Sequence, residues 1–161
     1  MPLIELHTEV AAPIERVFDL SRSIDLHVAS TAHTGEAAIA GVTSGLIGPG
    51  EEVTWRAKHF GLWQELTSRI VAFDRPHHFR DSMVRGAFSR FDHDHLFEAR
   101  GAHTLMIDRF DFDAPFWLLG RIVSRLVLTG HLRELLVARN QVVRSTAESD
   151  DWRTFLEKRK L

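Results

Sequence analysis

The feature that most constrains how this chain can fold is a long amphipathic run near the C-terminus, from Phe116 to about Ala147. Apolar residues recur at helical spacing (Phe116, Leu119, Val123, Leu126 or Val127, Leu132, Leu135, Leu136, Val142, Val143), and Arg121, Arg125, Arg133, Glu134, Arg139 and Arg144 fill most of the intervening positions. This pattern predicts one long helix with a single buried face. At 1.5 Å per residue it would extend about 45 to 50 Å, so its partner must be a broad surface. Gly120 and Gly130 fall inside the run without a neighbouring proline to make either a stop signal. Either Thr129-Gly130 marks a kink between two shorter helices, or a glycine faces inward and widens a cavity.

The chain upstream reads as the sheet that supplies this surface. Residues 2 to 10 alternate as a first strand, with Ile4, Leu6, Thr8 and Val10 on one face. Pro13 suits the first turn of a short helix ending near Ser21, and Ser23 caps a second that reaches about Ala29. A weak strand over Glu36 to Val42 precedes a turn at Gly48-Pro49-Gly50. Val53, Trp55, Ala57 and His59 then share one face of a strand that reverses at Gly61 into a partner from Leu62 to Phe73. His78 to Arg85, Phe88 to Ala99 and Thr104 to Asp113 complete a run of about six antiparallel strands, and Ala114-Pro115 releases the chain into the long helix. Residues 1–149 are therefore expected to form one domain, followed by a polar tail over 150–161 that carries Trp152 and Phe155.

With 161 residues the chain is long enough to bury about 70% of its unfolded surface without a metal or disulfide staple. A formal charge of −2 offers no field to gather nucleic acid or an anionic membrane. The absence of cysteine excludes thiol catalysis and thiolate metal sites. No apolar run approaches 18 residues, so no integral membrane segment is expected, and the N-terminus lacks a basic and an apolar leader region; a cytoplasmic protein is expected. Ten His and eleven Phe, with no Tyr, suit an apolar interior whose imidazoles each need a reason to be there.

The order of elements resembles the helix-grip superfamily, which holds START lipid-transfer domains, birch-pollen-type allergens and polyketide cyclases. Ala12-Pro13-Ile14-Glu15-Arg16-Val17-Phe18 is similar to the opening these proteins share, and Phe110-Asp111-Phe112-Asp113-Ala114-Pro115 to their last strand entering the helix. Thr34-Gly35-Glu36, Val53-Thr54-Trp55-Arg56, Leu66-Thr67-Ser68-Arg69-Ile70 and Val84-Arg85-Gly86-Ala87-Phe88 resemble a bacterial cyclase/dehydrase-like group. The resemblance implies an α+β fold in which a strongly curved antiparallel sheet of about seven strands (one strand, two short helices, six strands) grips the long C-terminal helix. The superfamily hosts carriers, sensors and enzymes, so the fold does not name a function.

The stretch Phe91-Asp92-His93-Asp94-His95-Leu96-Phe97 carries the most chemistry. On a strand Phe91, His93, His95 and Phe97 share a face, which places two imidazoles in an apolar chamber. Asp108 shares a face with Met106, Phe110 and Phe112, and Asp81 with Phe79 and Met83, so a meander sets a carboxylate on either side of the histidines. Three readings stay open: an internal polar network, acid/base catalysis by His93 or His95 with Asp108 or Asp81 as orienting carboxylate, and a metal held by the two histidines with one or two carboxylates. Trp55, His59, Phe91, Phe97, Met106, Phe110, Phe112 and Gly130 are expected to line a ligand cavity. No resident metal or cofactor is assigned. No catalytic triad, glycine-rich nucleotide fingerprint or zinc-protease motif is present. The expected function is binding of a small apolar or aromatic molecule as carrier or sensor. The alternative is a cyclase or dehydratase on a polyketide-like or aromatic substrate, and self-association as a homodimer is left open.

Overall fold

The computed structural model describes residues 2–114 and 122–157, with the backbone alone for residues 122–124. Seven strands form one antiparallel sheet: β1 (Leu3–Val10), β2 (Ala37–Gly41), β3 (Glu52–His59), β4 (Leu62–Asp74), β5 (His78–Arg85), β6 (Arg90–Arg100) and β7 (His103–Asp113), in the order β1-β7-β6-β5-β4-β3-β2. Strands β3 to β7 follow one another as a meander, while β1 closes on β7 across the sheet. Register shifts leave Val84 of β5 and Val71 of β4 unpaired in the β4–β5 ladder and Ile39 of β2 unpaired against β3. Such bulges bend a strand and increase its twist, which curves the sheet. The β3–β4 turn has positive φ at both central residues, Phe60 (52°) and Gly61 (79°), as a type I′ hairpin requires.

Between β1 and β2 lie two short helices, α1 (Ile14–Ser21) and α2 (Ile24–Ser30), and a single 3-10 turn over Ala32–Thr34. Ser23 caps α2 by accepting from Leu26 N at 3.2 Å, as its position predicts. The concave side of the sheet is apolar because of period-two alternation: Ile4, Leu6 and Val10 of β1 and Phe91, His93, His95 and Phe97 of β6 are all buried. Phe18 of α1 is fully buried and meets Phe73, Phe79 and Phe97 edge-on at 5.3 to 5.4 Å.

The long helix α3 (Ile122–Glu148) runs unbroken through Gly130. Phe116, Leu119, Gly120 and Arg121 lie outside the described residues. Two expectations about the helix need correction. Its inward residue in the early turns is Leu128, 7% exposed, while Leu126 and Val127 face outward, because Leu128 sits one turn before Leu132. Gly130 neither breaks the helix nor faces the cavity: it is exposed, and a Cβ there would meet nothing within 4 Å. Gly130→Ala should therefore stabilise the protein by about 1 kcal/mol, raising the melting temperature by about 2–4 °C. A drop in Tm would mean that Gly130 is packed.

Beyond α3 the segment expected as a polar tail includes α4 (Trp152–Leu156). Trp152, Phe155 and Leu156 pack on the core cluster under α1, and the Arg16 guanidinium stacks 4.3 Å from the Trp152 ring.

Candidate functional site

A cavity of about 240 Å³ lies between the concave sheet and α3. Apolar wall comes from Trp55, Ile70, Phe79, Phe91, Phe110 and Leu128. Into it project five histidines: His27, His59, His93, His95 and His131.

Strand register builds the main polar group. His93 pairs opposite Asp81 of β5 and Phe110 of β7, and His95 opposite Phe79 and Asp108. The bonds run diagonally: His93 Nε2 lies 2.9 Å from Asp108 Oδ1, and His95 Nε2 lies 3.0 Å from Asp81 Oδ1. The two imidazoles lean together at 3.8 Å between centroids, and Phe79 stacks on the far side of His95 at 4.2 Å. From α3, Asn140 donates its side-chain N–H to Asp108 Oδ2 at 2.7 Å. Arg139 donates to Asn140 Oδ1 at 3.1 Å and to the carbonyl of Ser21 at 2.8 Å, with Nη1 also 3.5 Å from Asp108 Oδ1. One carboxylate thereby ties β6, β7 and α3 together, and Arg139 adds the end of α1.

Protonation follows from these partners. Burial opposes ionisation of Asp108, which is 0% exposed, but the contacts from His93 and His95 and the Arg139 charge hold its carboxyl well below the usual range. Burial likewise opposes ionisation of Asp81, and the His95 bond with both imidazoles outweighs it. Burial and the neighbouring His95 push His93 below the ordinary imidazole value. For His95, burial acts downward, yet its two carboxylates raise it. The surroundings thus favour the neutral form of His93 and the charged form of His95. Since a carboxylate can only accept, His93 Nε2 carries a proton, and in the neutral ring Nδ1 is bare. The nearest carboxylate oxygen to Nδ1, that of Asp81, is 3.8 Å away. His95 Nδ1 lies 3.0 Å from Asp108 Oδ1, yet the contact is misaligned and leaves this buried nitrogen without a hydrogen bond.

Elsewhere on the wall, His27 Nε2 bonds Glu36 Oε1 at 3.1 Å while its ring packs on Trp55 at 4.3 Å, and His59 Nδ1 lies 3.1 Å from His131 Nε2. Burial and the proximity of His131 lower the pKa of His59.

Of the expected lining residues, Trp55, His59, Phe91 and Phe110 stand on the cavity wall, as do His93, His95 and Asp81, with Asp108 directly behind them. Phe97, Met106 and Phe112 face the concave side as expected but lie off the wall. Phe97 is covered by Phe18, Met106 by Ser21, and Phe112 by Phe88. Gly130 is absent from the wall, as its outward direction requires. Sequence reading assigned Arg139 to a polar surface and did not single out Asn140, Glu36 or His27.

TTHA0849 from Thermus thermophilus is similar over 91% of this chain and 99% of its own, at 16% identity and a TM-score of 0.69. A START superfamily protein from Mycobacterium smegmatis matches over 91% and 97% at 13% identity and a TM-score of 0.65. Ginseng major latex-like protein 151 from Panax ginseng matches over 92% and 98% at 15% identity and a TM-score of 0.64. This is the helix-grip fold. No protein-family model matches the sequence, and no curated protein matches it significantly. In helix-grip terms the cavity occupies the space between the gripping sheet and the gripped helix, and the His-Asp cluster sits on its floor. Among the described residues no helix is long and apolar enough to cross a membrane.

Proposed function

We propose that this protein binds a small, largely apolar molecule in the cavity, as a carrier or sensor, with the ligand's polar end against Asp81 and His93. One observation carries the reading: a mostly apolar wall encloses about 240 Å³, and its floor presents a few convergent polar groups, as ligand sites do. The volume falls just below the usual range of ligand cavities, roughly 300–1,000 Å³, and favours a compact molecule of one or two rings. The bare His93 Nδ1 asks for a donor, so a ligand hydroxyl or amide N–H is the favoured polar group.

A second reading, cyclase or dehydratase chemistry, is supported by that same nitrogen: a neutral imidazole held by Asp108 is a positioned base. Native mass spectrometry with solvent extraction, on protein purified without a metal-affinity tag, tests binding, and a stoichiometric apolar compound is the expected result. His93→Gln then separates the readings. A carrier keeps its affinity within several-fold, whereas an acid/base enzyme loses about 10²–10⁴ in turnover while still binding. Failure of the extracted compound and of its close analogues to rebind would sink both.

A further inference from the structure

One oxygen of Asp81 and one nitrogen each of His93 and His95 lie within 4.8 Å of one another, the one such group of three among the described residues. We propose that Asp81, His93 and His95 bind a divalent first-row transition-metal ion, with Zn²⁺ as the type, and that Asp108 orients both imidazoles from behind.

Spacing is the first argument. His95 Nε2 and His93 Nδ1 stand 3.0 and 3.8 Å from Asp81 Oδ1. Ligand atoms around tetrahedral zinc, at bonds of about 2.0–2.2 Å, are roughly 3.3 Å apart, so small side-chain rotations close the site. The second argument is donor availability. His93 is only 7% exposed, its Nε2–H is committed to Asp108, and its Nδ1 lone pair has no protein hydrogen-bond partner among the described residues. That nitrogen stands on the cavity wall, where an ion entering the cavity reaches it directly.

The surroundings give the third argument. Metal-bound histidines characteristically donate their other ring N–H to a carboxylate that is itself held in place. Asp108 Oδ1 lies 2.9 Å from the far nitrogen of His93 and 3.0 Å from that of His95, and Asn140 and Arg139 fix its carboxylate. His95 bonds Asp81 through Nε2 while its Nδ1 is left without a hydrogen bond, so an ion between Nε2 and Oδ1 would replace a single direct contact. Charge agrees with a divalent guest. Two carboxylates, Asp81 and Asp108, against the Arg139 guanidinium leave one negative charge. A divalent ion held by neutral imidazoles leaves one positive charge, which suits an anionic oxygen as a further ligand. With the ion bound, His93 Nδ1 no longer accepts a ligand O–H or N–H, and the oxygen of an enolate, phenolate or carboxylate becomes the matching ligand class in its place.

Metal binding is measured without any organic ligand, so it stands or falls separately from the binding function above. The full chain, purified without a metal-affinity tag and dialysed against chelator, is titrated with Co²⁺ and with Zn²⁺. The expected result is one ion per chain, visible d–d absorption from bound Co²⁺, and displacement of Co²⁺ by Zn²⁺. Asp81→Asn alters a partly exposed side chain and should abolish the absorption while circular dichroism and Tm show a folded protein; His93→Gln should do the same. Asp108→Asn, where it folds, should weaken binding by about 10–100-fold. Absence of stoichiometric binding by the folded wild type, or unchanged binding in both Asp81→Asn and His93→Gln, overturns the proposal.

Discussion

Replacing Asp108 with alanine is expected to destabilise the protein by about 3–5 kcal/mol, the loss that follows when one partner of a buried charge group is removed. Nothing of Asp108 is exposed, and its oxygens serve His93, Asn140 and Arg139 at once. Without it the Arg139 guanidinium, with 7% of its side chain exposed, is left with neutral acceptors alone, and the Asn140 amide loses its shortest bond. For a chain of this size the change corresponds to a fall in Tm of roughly 6–20 °C. The sharper form of the prediction is a cycle. Asp108→Leu combined with Arg139→Met should lose much less than the two single changes added together, because it removes both buried charges. Urea denaturation of the four proteins checks this. Additive losses would show that the two residues are energetically independent.

Phe18→Ala is the second large effect, expected at about 3–5 kcal/mol. Phe18 fills the junction of α1 with the sheet, and three phenylalanines meet its ring edge-on. Truncation leaves a hole beside Phe79, which also stacks on His95 at 4.2 Å. Loss of stability should therefore come with a loosened imidazole, seen as broadening or shift of the His95 ring resonances by NMR. Phe18→Leu, which keeps much of the volume, should lose less than half as much. A loss under about 1 kcal/mol for the alanine variant would contradict the packing described here.

How far the sequence discloses this molecule follows from the periods involved. Alternation at two placed His93 and His95 on one face, and the short turns of a meander placed Asp81 and Asp108 on the flanking strands. In the register Asp81 stands opposite His93 and Asp108 opposite His95. The order of strands and helices was legible for the same reason, and the 3-10 turn at Ala32–Thr34 was too short to leave a pattern. The helix was harder. Leu128, Leu132, Leu135, Leu136, Arg139, Asn140 and Val143 follow at three- and four-residue steps, so the spacing alone carries Arg139 and Asn140 inward. Their polarity argued for solvent, and only the buried Asp108 explains why that argument loses. Phe97, Met106 and Phe112 show a different limit. Period two gives the face of the sheet but not which part of that face a short helix such as α1 covers.

We propose that a small apolar molecule binds in the space between the sheet and α3. The most direct test is a fluorescence titration with an apolar naphthalene probe on wild type and Ala57→Phe. Ala57 is 4% exposed and stands on the cavity wall between Trp55 and His59, so phenylalanine there projects into the open volume. Saturable one-to-one binding by the wild type is expected, with at least tenfold weaker binding by a folded Ala57→Phe variant. Equal binding by both proteins would place the probe elsewhere and contradict the claim.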